Sequence, residues 1–209
     1  MTTEDDGEEN PAVRSSSSTS DVRTHAADNL RFIREAMESA GAFTAVSGWG
    51  QVAVGATALA AATLASRQPT RERWLAVWLG EALVAVAISA AAMAIKSRRR
   101  ALPLFSGGSR RFWPGFAAPL AVGALLTGAL FARSLFEMMP AVWLLLFGAA
   151  VAAGGVVSVP LVRAMGWSFI ALGAVALWTP SHYSDALLAA GFGGLLAGFG
   201  VAIARRHGG

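Results

Sequence analysis

The chain alternates between apolar runs of about twenty residues and short separators that hold its prolines and charges. A hydrocarbon layer about 30 Å thick is crossed by about 20 helical residues, so such runs read as membrane spans. Six segments qualify, near Phe43–Ala65, Trp74–Ile95, Phe112–Ala132, Pro140–Val157, Val162–Trp178 and Asp185–Ala204. The fifth is the shortest and contains Gly166 and Gly173. Between them lie SRQPTRER, KSRRRALPLFSGGSRR, RSLFEMMP, SVPLVR and TPSHYSD. All but one of these are short, and short connections force antiparallel neighbours. The predicted fold is an all-α polytopic membrane bundle of six transmembrane helices in three antiparallel hairpins. Composition agrees: 55% of residues are hydrophobic and only 14% charged, where soluble domains hold about 25% charged.

The net charge of +4 conceals a segregation of sign. Residues 1–42 hold nine acids and four arginines, while the remainder holds four acids and thirteen bases. With the amino terminus inside, the four tail arginines, Lys96, Arg98, Arg99, Arg100, Arg110, Arg111, Arg163, Arg205 and Arg206 all fall on the inner side. Only Arg67, Arg71, Arg73 and Arg133 fall outside. The positive-inside bias therefore predicts both termini in the cytoplasm and a plasma (inner) membrane location. Trp49, Trp74, Trp78, Trp113 and Trp178 lie near span ends, with Trp143 and Trp167 close to theirs, as in an interfacial belt.

Ahead of the spans, residues 1–24 are acidic and serine-rich and are expected to be a disordered cytoplasmic tail. MTTEDDGEEN lacks the basic region of a cleaved leader, so the first span is expected to serve as an uncleaved anchor. Residues 25–42 include DNLRFIREAMESA, in which Asp28 fits an N-cap and Leu30, Ile33 and Met37 share one helical face. Arg31/Glu35 and Arg34/Glu38 form i,i+4 pairs elsewhere on that helix. This amphipathic helix is expected to lie at the membrane surface or to dock on a cytoplasmic protein partner. The alternative is a solvated lead-in with no binding role.

Several chemistries are excluded or disfavoured. Without cysteine there is no disulfide, thiolate metal site or thiol nucleophile. The pI near 10.9 raises nucleic acid as a partner, but the bases flank apolar spans and need no such partner. The basic loop Lys96, Arg98, Arg99, Arg100, Arg110, Arg111 is first a topology signal and, with it, a contact for anionic lipid headgroups of the bilayer. No glycine run has the form GxGxxG after a strand, and none precedes Lys–Ser/Thr, so no nucleotide cofactor is expected. A serine-hydrolase reading fails because Ser168 and His182 would be about 21 Å apart along a helix. His182 and Asp185 are too few to hold a metal even if Glu137 joins them. The simpler reading is a turn in which Ser184 or Asp185 caps the last helix.

Two features remain. Glu81 is the one ionisable residue well inside a span, about 10 Å along the axis from Trp74. An acid near mid-membrane costs about 2.5–3.5 kcal/mol, so it should face the bundle interior or water. Thr57, at similar depth on the first span, is positioned to hydrogen-bond it. Glu81 is either a proton- or cation-handling site or a neutral acid bridging helices. The last span repeats Gly191–Phe192–Gly193 as Gly198–Phe199–Gly200, and Ala190, Gly194, Gly198 and Ala202 follow a four-residue small-xxx-small spacing. Such a face packs either inside the bundle or in a homo-oligomer. Function is accordingly expected to be a non-enzymatic membrane anchor, sensor or accessory subunit that meets its partner through residues 1–42. The alternative is a small transporter or channel coupled through Glu81.

Overall fold

The computed structural model describes residues 29–33, 47–100, 107–155 and 160–207. Two compact units divide the chain, Met1–Met37 and Glu38–Gly209. In the first, residues 29–33 are helical and leave Leu30, Phe32 and Ile33 exposed. The tail read over 1–24, and the amphipathic helix read over 25–42 apart from these five residues, lie outside the described residues.

The second unit is a bundle of helices: α1 (Gly48–Ala65), α2 (Arg71–Arg100), α3 (Gly107–Ala132), α4 (Met139–Gly154) and α5 (Pro160–Trp178). A last helix, α6, is built from an α-turn Ser184–Leu188, a π segment Ala189–Leu195 and an α-helical Leu196–His207. Among the described residues six helical stretches are long and apolar enough to cross a membrane: Gly48–Ala65, Arg71–Ile95, Trp113–Ala132, Phe136–Gly154, Pro160–Trp178 and Ser181–Arg205. The chain thus has the architecture of a multi-pass membrane protein. Local signals set the ends. Ser47 sits in extended backbone and its side chain accepts from the Gly50 amide at 3.3 Å, so α1 starts at Gly48. Pro140 stands in the first turn of α4, where its missing N–H costs nothing. α3 is terminated two residues past Ala132 by Ser134, which adopts a left-handed φ of 56°. There the Leu135 amide reaches back to the Leu130 carbonyl at 2.9 Å and the Ser134 amide to the Phe131 carbonyl at 3.0 Å, the Schellman arrangement usually given to glycine.

Consecutive helices pack together in three of the main pairings, and one long-range pairing brings the first helix against the last. α1 runs antiparallel against α6, and α4 antiparallel against α5, and these two pairs form the core. Both seams are backbone-to-backbone. A Cβ placed on Gly55 would stand 2.7 Å from the Gly193 carbonyl oxygen, and one on Gly48 2.5 Å from the Ala204 amide nitrogen. Likewise a Cβ on Gly148 would meet the Gly166 carbonyl at 2.8 Å, and one on Gly166 the Ala152 amide at 2.7 Å. The glycines come in sevens, Gly48 with Gly55, Gly193 with Gly200 and Gly166 with Gly173, the spacing of a left-handed antiparallel crossing. In the π segment Gly191 faces Leu144, Phe169 and Leu172 of α4 and α5 while Gly193 faces α1. One stretch of α6 is thereby clamped from two sides. Phe147, Phe169 and Phe192 close the junction of α4, α5 and α6 with centroid separations of 4.8, 5.2 and 5.5 Å. α2 packs on α1 and α3 on α4. α2 and α3 themselves are separated by a groove of about 540 Å³ whose walls include Leu75, Leu79, Gly128 and Phe131.

Candidate functional site

Glu81 stands on α2 where it passes α1 and is half-buried. The Thr57 hydroxyl donates to its Oε1 at 2.8 Å, the partnership the depth argument anticipated. The same hydroxyl lies 2.9 Å from the Val54 carbonyl and 3.3 Å from that of Ala53. A hydroxyl has one proton and serves one acceptor at a time, so the carboxyl is only partly satisfied.

Of the two placements expected for Glu81, the bundle interior or water, it does not take the first. It opens instead into a groove of about 400 Å³ on the flank of the bundle, between α1 and α2. Ala60, Ala76 and Gly80 line the groove, and Leu64 and Val84, both largely exposed, also border it. Among the described residues, Thr57 and Glu81 are the only polar side chains that line it. The physical reason is the position of α2, which covers α1 from outside and is itself mostly exposed.

A second constellation sits near the connections at 66–70 and 179–183. Asp185 Oδ1 accepts from the indole Nε1 of Trp74 at 2.7 Å and of Trp78 at 3.2 Å. Trp74 stacks on Trp143 with centroids 5.7 Å apart and planes within 4°. Trp143 donates to the Thr127 hydroxyl at 2.9 Å, and that hydroxyl to the Gly123 carbonyl at 2.7 Å. One chain of contacts therefore ties α6 to α2, α2 to α4 and α4 to α3. Two sequence readings need correction here. Trp74 and Trp78 are 5% and 4% exposed and belong to the core, because a carboxylate brought from the far end of the chain gives their N–H groups an acceptor. Trp49, Trp167 and Trp178 are exposed, at 62%, 65% and 90%, as lipid-facing belt residues are. Nor does Asp185 or Ser184 cap α6: the cap position is Tyr183 and no side chain caps the helix. Trp74 and Trp78 are one helical turn apart and share a face, a signal visible in the sequence, but their acceptor was not.

The remaining candidates fall as follows. Of the small-residue series, Ala190, Gly194 and Gly198 are exposed and Ala202 is half-buried. A Cβ on Gly198 would meet nothing within 4 Å. The internal seam is made by Gly193, Ala197, Gly200 and Ala204 instead, the set that includes the third residue of each Gly–Phe–Gly triplet. Four-residue spacing marks a face of an ideal helix, whereas the tight antiparallel seam follows sevens and the π segment shifts the faces on either side of it. The six bases read as a loop are helical instead, Lys96, Arg98, Arg99 and Arg100 at the end of α2 and Arg110 and Arg111 at the start of α3, and Arg98 is exposed. The side chains of Lys96, Arg99, Arg100, Arg110 and Arg111 lie outside the described ones. His182 stacks on Tyr183 with centroids 4.0 Å apart, and both are exposed. Ser168 donates to the Ala164 carbonyl of its own helix at 2.8 Å. No family model, no curated protein and no solved structure matches the chain.

Proposed function

We propose that the protein is a non-enzymatic membrane module, an anchor, sensor or accessory subunit that holds a partner at a plasma (inner) membrane with both termini in the cytoplasm. The observation that carries this is the distribution of polar groups in the described bundle. Its α1–α6 and α4–α5 junctions are closed by glycine seams and its α4–α5–α6 junction by Phe147, Phe169 and Phe192, while its intramembrane carboxyl opens sideways. A carrier binds its cargo near the midplane between broken helices lined by polar groups; a sideways-facing polar group belongs to a surface that other molecules approach through the bilayer. Residues 1–42, with nine acids and four arginines, supply the soluble contact. Purification of the full chain in mild detergent, beside a variant lacking residues 1–42, tests the reading. A protein that co-purifies with the full chain and is lost with the deletion, while membrane insertion persists, supports it; an unchanged set of co-purifying proteins overturns it.

A small proton- or cation-coupled transporter is the second reading, favoured by the Glu81–Thr57 pair. It requires a pH-dependent flux in proteoliposomes that Glu81→Gln abolishes.

A further inference from the structure

We propose that the groove between α1 and α2 seats a transmembrane helix of a different protein, one that carries a lysine or arginine at the depth of Glu81. This names the intramembrane partner surface for the accessory-subunit reading and rests on it.

Two observations converge on that occupant. The Glu81 carboxyl has one hydrogen bond from the described residues, from a hydroxyl it shares with backbone carbonyls. Ionisable groups inside a bilayer pair with one another or with backbone carbonyls, or face water, because hydrocarbon offers no partner. The groove has the shape of a helix seat. Ala60, Ala76 and Gly80 give it small walls, and beyond Gly80 there is open space, with no atom within 4 Å of where a Cβ would stand. Small residues of this kind let a second backbone come close. A small-molecule site, in contrast, encloses 70–90% or more of its ligand, and this groove is open along its flank.

A second copy of the chain does not meet the requirement. Its bases within the six spans, Arg71, Arg73, Arg163 and Arg205, all lie within a few residues of a span end. Self-association would bring at most another carboxyl or a hydroxyl to Glu81. The cation must come from elsewhere.

Full-length protein carrying Gln68→Cys, labelled with a donor fluorophore, tests this in liposomes. The probe is a synthetic leucine/alanine transmembrane helix with one central lysine and an acceptor dye, beside a twin with leucine in place of the lysine. The lysine helix is expected to associate about tenfold more tightly than its twin, the scale of one intramembrane polar contact. Glu81→Gln should erase that preference. Gly80→Leu or Ala76→Leu, each placing bulk in the groove away from the core, should weaken association of the lysine helix with thermal unfolding unchanged. Equal association of both helices, or a preference that survives Glu81→Gln, overturns the proposal. So does displacement of the lysine helix by equimolar tetraphenylphosphonium, which assigns the groove to small cations, or by unlabelled Glu81→Gln protein, which has no preference for the lysine helix and so displaces it only through self-association. Failure here with the partner of residues 1–42 still co-purifying removes the groove claim alone; loss of that partner with the helix preference intact removes only the soluble contact.

Discussion

The indole Nε1 of Trp74 donates to Asp185 Oδ1 at 2.7 Å across 111 residues of chain. Trp78 shares the same oxygen at 3.2 Å. Both indoles are buried, so this one carboxylate oxygen is what satisfies two donors that have left water. An unsatisfied buried donor costs about 1–3 kcal/mol. Asp185→Leu should therefore lower stability by about 2–4 kcal/mol, read as a fall in the thermal unfolding midpoint in detergent. Asp185→Asn keeps an acceptor oxygen and should recover more than half of that loss. Equal losses for the two variants would show that the carboxylate is not acting as the acceptor.

The glycine seams give a second contrast. Gly55→Val places a side chain against the Gly193 carbonyl and should destabilise by about 3 kcal/mol, the upper end for overpacking, since backbone offers no flexible neighbour to move. Gly198→Ala meets open space and should be neutral or stabilising by up to about 1 kcal/mol through helix propensity. Detergent unfolding curves of the two variants should separate widely; coincident curves would sink the assignment of the α1–α6 seam.

Ser134 adopts a left-handed φ of 56°, which costs a non-glycine residue roughly 1–2 kcal/mol. Ser134→Gly should relieve that and raise stability by about 0.5–1 kcal/mol after the added entropy of the unfolded chain is subtracted. Ser134→Val should lower it. The same unfolding assay reads both.

Glu81 and Thr57 should behave differently from these structural groups. Thr57→Val keeps the shape and removes the hydroxyl, with a loss near the 0.6 kcal/mol average of intramembrane hydrogen bonds. Glu81→Leu matches the apolar groove and should leave the isolated protein as stable as before, or more so, because it removes a costly carboxyl from hydrocarbon. A destabilisation of more than about 2 kcal/mol by Glu81→Leu would instead mark the residue as a bridge that the bundle needs.

Orientation is open to a direct check. In intact cells Ser109→Cys should resist a membrane-impermeant thiol reagent, while Gln68→Cys should react, on a background that has no native cysteine.

Much of this fold was legible from the lengths of the apolar runs alone. The expected fourth span, Pro140–Val157, differs from α4 by one residue at its start and three at its end. The sixth was read as Asp185–Ala204, against a helical stretch of Ser181–Arg205. Such run lengths are dictated by a hydrocarbon layer and need no knowledge of neighbours. What could not be read was which helix meets which. Glu81 with Thr57 was accessible because adjacent antiparallel helices align residues at equal depth. Asp185 with Trp74 was not, since nothing local distinguishes a capping carboxylate from one that crosses to another helix. The last-span glycines show the same limit: their repeat was visible, but a π segment decided which members turn toward α1.

The pairing of α1 with α6 also bears on how the molecule is made. Gly55 and Gly193 meet backbone to backbone, yet at 5–20 residues per second the ribosome needs roughly 7–30 s to synthesise the stretch between them. During that interval the first helix waits in the bilayer with its glycine face uncovered and only α2 beside it. Biogenesis thus includes an obligatory half-assembled state. A nascent chain stalled before residue 193 leaves that face exposed to whatever else in the membrane can cover it.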